Sequence, residues 1–474
     1  MDFRGLGALH ASVETPMEPP ALLPARLQMA FTLGFHIIFA CLGVGLPVLM
    51  LFAEWRFLRG GGEEWRTLAR RWSKAFFALF AVGAVSGTVL SFELGLLWPE
   101  FMGRFGSVIG LPFALEAFAF FLEAIFIAIY LYGWDRLKPW AHWWSGVPVV
   151  IAGAASALFV VAANAWMNAP RGFKLDEAGK VMEVDPLAAM LNPATAPQAV
   201  HMLVAAYMVA GFLTATCYAA ALLFPKLGGS DARARAHNRK GLALGLGLGC
   251  LCAPVQIVIG DWAAQMVAQT QPVKLAAMEG QFETERGAPL RIGGLPNMDA
   301  ARTPWAIEIP GALSWLAYRD AQAEVRGLND FPEEDLPPVA IVHIAFQLMV
   351  GAGFALLGLA LWTAWLAWKK RDFAENRWFL WAALASGPLA VLALEAGWTV
   401  TEVGRQPWII QGVMRTRDAV TTAPGAWGVF GTVMAVYAIL FVGTAAALRW
   451  IAAQPLPSAT AGNAATSEEA GHDS

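Results

Sequence analysis

Nine apolar stretches, each long enough to cross a lipid bilayer as a helix, recur along this 474-residue chain. Their approximate bounds are 24–54, 75–98, 112–133, 143–165, 197–224, 241–262, 339–368, 378–400 and 425–450. Such a chain cannot be kept in water: 57% of its residues are hydrophobic and 15% charged, too little polar material to coat a soluble core. The expected fold class is an all-α polytopic membrane protein with about nine transmembrane helices. The formal net charge of -3 and the lack of a basic tract point away from a nucleic-acid partner. All four cysteines lie inside apolar runs, so a disulfide framework is not expected, and Cys250 and Cys252 read as packing residues. The N-terminus lacks the pattern of a removed signal peptide.

The connections alternate in charge. Arg56, Arg59, Arg66, Arg70, Arg71 and Lys74 lie between spans 1 and 2, and Lys226, Arg233, Arg235, Arg239 and Lys240 between spans 5 and 6. Lys369, Lys370, Arg371 and Arg377 follow span 7, and Arg136 and Lys138 follow span 3. By the positive-inside rule the N-terminus is outside and the C-terminus cytoplasmic. Trp98, Trp140, Trp143, Trp144, Trp378 and Trp381 stand at span ends, as interfacial anchors would. One outer loop, 263–338, is rich in Pro and acids and too long for a mere connection. Residues 1–451 read as one transmembrane domain, and 452–474 as a disordered tail.

Because successive spans run in opposite directions, the polar outliers meet at a common depth. His36 falls in the outer half of span 1, Glu93 near the outer end of span 2, and Glu116 near the outer end of span 3, with Glu123 two turns deeper. His201 opens span 5, His343 lies early in span 7 with Met349 deeper, and Glu402 closes span 8. An intramembrane carboxylate is a functional-site hypothesis by default. His and Met are familiar axial ligands of haem iron, and a carboxylate is a weaker oxygen ligand. Each residue also has a plainer reading. The histidines could bond neighbouring helices, Met349 could pack, and Glu116 and Glu123 could relay protons without a metal. Glu402 and Arg405 could pair at the headgroups, and His142 and His343 read as interfacial. These residues alone do not choose between a haem protein and a proton-coupled transporter.

Several motifs resemble subunit I of cytochrome bd-type quinol oxidases. They are R-L-Q-M-A-F-T-L-G-F-H (Arg26–His36), G-L-P-F-A-L-E-A-F-A-F-F-L-E (Gly110–Glu123), G-W-D-R-L (Gly133–Leu137) and S-A-L-F-V-V-A-A-N-A-W-M (Ser156–Met167). They continue with the segment from Asn192 to His201, K-L-A-A-M-E (Lys274–Glu279) and E-A-G-W-T-V-T-E-V-G-R-Q-P-W (Glu395–Trp408). The resemblance implies a low-spin heme b held by His201 and Met349. It also implies a high-spin pair, heme b with heme d or a third b-type haem, whose ligands are drawn from His36, Glu116 and Glu402. It gives Glu123 a proton-path role, makes Lys274 and Glu279 quinol-oxidising residues of loop 263–338, and puts Trp398 and Arg405 beside the haem pair. Ubiquinol or menaquinol, O2, a subunit II and a small single-helix accessory subunit are the implied partners, in a bacterial inner membrane. The short loop and S-F-E-L-G-L-L-W-P (Ser91–Pro99) look like the cyanide-insensitive branch, while Gln347 stands where some members carry Arg.

Overall fold

The computed structural model describes residues 18–456 apart from 230, so most of the expected tail, 452–474, lies outside the described residues. Fourteen helices follow in order: α1 (Leu22–Leu58), α2 (Glu63–Leu97), α3 (Pro99–Gly133), α4 (Pro139–Asn168), α5 (Pro186–Met190), α6 (Thr195–Leu223), α7 (Pro225–Gly228), α8 (Ala232–Thr270), α9 (Pro272–Glu279), α10 (Ala312–Tyr318), α11 (Val339–Trp368), α12 (Arg377–Val403), α13 (Thr416–Ala419) and α14 (Ala426–Ala453). Nine of them are long and apolar enough to cross a membrane, matching the nine apolar stretches. Local chemistry marks their starts. Asp231 accepts from Ala234 N at 2.7 Å to cap α8, Asn376 caps α12 through Phe379 N at 3.1 Å, and prolines open α3, α4 and α9.

Helices α1–α4 pack as one four-helix bundle, and α6, α8, α11 and α12 as a second. The two meet where α6 lies against α1 and α4, and α14 flanks α1 and α2. The principal core runs through the interiors of both bundles and their junction, from Phe39 and Leu46 through Phe212 to Phe379. Adjacent spans run in opposite directions. The ends of α2, α4, α8 and α12 therefore share one end of the molecule with the starts of α1, α3, α6, α11 and α14, here called the loop end.

Three helices overrun the apolar windows. α2 begins at Glu63, α3 at Pro99, and α8 reaches Thr270, so the long loop starts at 271 rather than 263. The added turns carry charges such as Glu100 and Arg104, which end a hydropathy window without ending a helix. That loop is folded. β3 (Glu285–Arg286) pairs with β6 (Glu324–Val325), and β4 (Leu290–Ile292) with β5 (Ile307–Ile309), both antiparallel. Leu275, Ala288, Leu313, Ala317 and Val325 form a small core of its own. Two further hairpins, β1 (Lys174–Leu175) with β2 (Val181–Met182) and β7 (Trp408–Ile410) with β8 (Met414–Arg415), lie at the same end.

Two interfacial expectations are corrected. Trp98 is buried with Phe101, Phe105 and Ile410, because the segment after α12 folds over it and Thr421 N bonds Leu97 O at 2.9 Å. His142 is also buried: its Nδ1 meets Glu54 Oε1 at 2.6 Å and its Nε2 donates to Tyr130 O at 2.8 Å. Tyr130 donates to the other Glu54 oxygen at 2.7 Å. This three-helix lock sits at the end opposite the loop.

Candidate functional site

The candidate ligands sort by bundle. His36 faces α2, where its Nδ1 lies 2.9 Å from Ser86 Oγ, and that hydroxyl gives its own hydrogen to Val82 O at 2.9 Å. Ser86 can then only accept from the ring, so Nδ1 carries the hydrogen and Nε2 keeps a free lone pair. Glu116 accepts from Ser156 Oγ of α4 at 3.3 Å, and Glu402 from Asn164 Nδ2 of the same helix at 2.5 Å. Ser156 and Asn164 are eight residues apart, so the two α4 positions that hold these carboxylates are separated by about 12 Å of helical rise. Glu123 is buried against Gly153, also on α4. His201 and Met349 lie in the other bundle, facing α8 and α12, and Gln256 Nε2 reaches the His201 ring at 3.2 Å.

Glycines stand opposite the proposed ligands. A Cβ at Gly87 would come within 3.0 Å of His36 Cε1, one at Gly260 within 3.3 Å of His201 Cε1, and one at Gly397 within 3.0 Å of the Met349 sulfur. Each of these three side chains thus lies across bare backbone of the neighbouring helix. On α12, Glu395 and Glu402 share a face that looks into the first bundle, with Glu395 Oε2 placed 3.2 Å from where a Cβ on Gly34 would sit. Arg405 is 3% exposed; its Nη2 meets Glu402 Oε2 at 2.6 Å, while Nε and Nη1 are buried without a partner. Two buried cationic donors aimed at nothing in the described chain suit an anionic group such as a propionate. The residues therefore fit haem in both bundles. Among the described residues no group of three or more His, Cys, Asp or Glu gathers as a bare metal ion would need. Trp398 is half-buried in the principal core.

A hydrogen-bonded chain connects Glu402 to the loop. Asn164 receives Asn168 Nδ2 at 3.1 Å, and Asn168 Oδ1 accepts from Lys274 Nζ at 3.0 Å and Gln271 Nε2 at 3.2 Å. Lys274 also donates to Gln271 Oε1 at 2.8 Å and Thr401 O at 3.3 Å, and Gln271 to Gln411 at 3.2 Å. Burial, reinforced by the charge of Arg405 and opposed by Glu402, lowers the Lys274 pKa to about 7. Glu279, at the other end of α9, has an oxygen with no partner, and burial raises its pKa to about 8 against the pull of Arg291. Three residues along it, Asn164, Asn168 and Gln271, carried no role in the sequence; the two asparagines stand four residues apart at a helix end, where they look like ordinary caps. Glu93 is buried under Gln28 and Thr32, both at 2.9 Å, and away from this chain. His343, read as interfacial, is 0% exposed beneath the loop.

Comparison with known proteins gives the family. The family model described as cytochrome bd terminal oxidase subunit I matches residues 24–455. The chain is 38% identical over 420 residues to a Bacillus subtilis chain named as a cytochrome bd menaquinol oxidase subunit I, covering 88% of this chain and 94% of that one. It is 30% identical over 463 residues to subunit 1 of the cytochrome bd-II ubiquinol oxidase of Escherichia coli, covering 83% and 88%. The solved structure of bd oxidase from Geobacillus thermodenitrificans superposes with a TM-score of 0.85 at 38% identity, over 92% of this chain and 98% of that chain. The transporter alternative finds no support in these matches. With nine apolar helices and these relatives, the chain is a multi-pass bacterial membrane protein that belongs to the cytochrome bd terminal oxidase subunit I family, a haem-containing family of terminal quinol oxidases.

Proposed function

We propose that this chain is the haem-bearing subunit of a quinol:O2 oxidoreductase, taking electrons from quinol at the loop end and delivering them to O2 within the membrane. The observation that carries this reading is the unbroken polar chain from Glu402 through Asn164 and Asn168 to Lys274, which ties the candidate O2 site to the loop. His201 and Met349 are the proposed axial ligands of a low-spin heme b. His36, Glu116 and Glu402 are the proposed ligands of a high-spin heme b and of heme d, or a b-type haem in its place. When bound, haem supplies one-electron redox chemistry and an iron at which O2 is reduced.

The protein's own groups do the rest. The ring of His36 is held in the tautomer that offers Nε2, and Arg405 turns two donors toward an anion. Glu279 takes a proton as quinol gives up electrons, a task suited to a carboxyl whose pKa lies near the working pH. The Lys274 ammonium already has three acceptors, so its part is to seat the loop and hold its charge near the head group. Protons for water reach the buried site by way of Glu123 from the cytoplasmic side, with the loop end outside, so a membrane potential forms without a pump. Subunit II and a small accessory helix complete the assembly, and ubiquinol or menaquinol is the donor. Reduced-minus-oxidised spectra and haem extraction from the purified complex test this. Haem with quinol-dependent O2 uptake is expected, and His201→Ala should lose the low-spin signal while retaining the others. Absence of haem would overturn the reading, and an unchanged low-spin signal in His201→Ala would overturn the ligand assignment.

A further inference from the structure

His343 is fully buried on the second turn of α11, and its ring bridges two separate stretches of the loop. Nδ1 lies 2.9 Å from Met278 O, in the last turn of α9, and Nε2 lies 3.2 Å from Gly293 O, just after β4. Both carbonyls are acceptors, so the ring donates to one through the nitrogen that carries its hydrogen and packs its other nitrogen against the second. One turn further along α11, Gln347 grips the same edge of β4: its Oε1 accepts from Gly293 N at 3.0 Å and its Nε2 donates to Arg291 O at 3.0 Å. From the other side Thr303 Oγ1 bonds Gly280 O at 2.8 Å, closing the turn over the ring. Gly280 has a φ of +61°, and a Cβ there would stand 2.5 Å from Thr303 Oγ1 and 3.4 Å from His343 Nδ1.

Met278 immediately precedes Glu279, and Gly293 lies two residues after Arg291. We infer that His343 is the positioning residue of the quinol-oxidising carboxylate: by holding both backbones from one imidazole, it sets the separation of Glu279 from Arg291. This rests on the proposed role of Glu279. The charged groups around the pair are few. Arg291 on β4 also meets Gln281, Glu308 at 2.9 Å and Glu285 at 3.8 Å. Lys274 lies on α9 itself, with Glu402 on α12 and Arg405 just after that helix as its charged neighbours. Arg291 is thus the cation that favours the ionised form of Glu279. Losing the clamp moves it away, so the carboxylate needs a higher pH to become a base.

The test uses the purified, haem-loaded complex with His343→Leu, His343→Asn and, separately, Glu279→Gln. In His343→Leu the quinol KM should rise roughly ten-fold, the size of one lost buried hydrogen bond. The acid limb of the quinol-oxidation pH profile should move upward. His343→Asn, which can still donate to Met278 O, should recover part of both effects. Hydrogen exchange gives a reading independent of activity: amides of residues 280–294 should exchange faster, while those within α6 and α8 do not change. A wild-type KM and pH limb in His343→Leu with normal haem spectra would overturn the inference, as would faster exchange spread through the whole chain. If Glu279→Gln itself oxidises quinol normally, the quinol-site reading fails. If Glu279→Gln is impaired and His343→Leu is not, only the clamp fails.

Discussion

With 4% exposure and an unpartnered oxygen, Glu279 holds its proton to about pH 8, and below that pH it cannot accept another. Quinol oxidation should therefore accelerate as pH rises toward about 8. Glu279→Gln should flatten that rise and lower kcat/KM for quinol by about a hundred-fold, measured as O2 uptake across the pH range. The same group predicts a stability trend. A carboxyl raised from 4.5 to about 8 makes the folded loop bind a proton that the unfolded chain releases, so its contribution is full below 4.5 and falls away as pH rises through 8. Lys274, lowered from 10.5 to about 7, acts oppositely: burying it charged is unfavourable below about 7, and stability recovers as pH climbs toward 10.5. Thermal melts of Glu279→Gln should consequently gain stability with pH between about 7 and 8, where the two opposing trends give the native protein a flatter course. Neither shift was legible from spacing. K-L-A-A-M-E reads as a short polar helix, and only burial of both its ends under the folded loop perturbs the two groups. His343 was missed for the same reason, since a span end looks interfacial until something folds over it.

At the scale of elements, α8 shows how close approach is written into sequence. Gly241, Gly245 and Gly249 recur every four residues along the face that meets α6. A Cβ at Gly245 would stand 2.5 Å from Ala215 N and 2.7 Å from Gly211 O, backbone atoms that no rotamer change can move. Small residues at this spacing let membrane helices pack backbone to backbone. Gly245→Ala should destabilise the folded protein by about 1–3 kcal/mol, the usual size of an overpacking penalty. Gly247→Ala, where nothing lies within 4 Å of the new methyl, should be nearly neutral. Melting the two variants side by side in detergent checks this, and the low-spin signal should be lost first in Gly245→Ala because Gly260, opposite His201, rides on the same helix. The nine spans themselves were readable because apolar length is a local property. The extra turns of α3 were not, because Phe101 and Phe105 are buried by neighbours such as Ile410 and Met414 that lie hundreds of residues away.

Across the whole molecule, alternating span direction was enough to bring His36, Glu116, His201, Met349 and Glu402 to one end, and that inference needed no packing detail. Which helix each residue faces did need it. Far from that end, the buried contacts of Glu54, Tyr130 and His142 tie α1, α3 and α4 together, each residue lying on a different helix and none conspicuous alone. Removing one member of a buried pair strands the other, so His142→Phe should destabilise the protein by about 3–5 kcal/mol with haem spectra unchanged in the surviving folded fraction, as read by thermal melts. The order of the bundles along the chain has a consequence for synthesis. All of α1–α4 leaves the ribosome before α6 begins, yet Asn164 waits 238 residues for Glu402 to reach it. The first bundle can insert and fold early, but the carboxylate that completes the contact of Asn164 arrives only with α12, so that face of α4 stays uncovered until translation is almost complete.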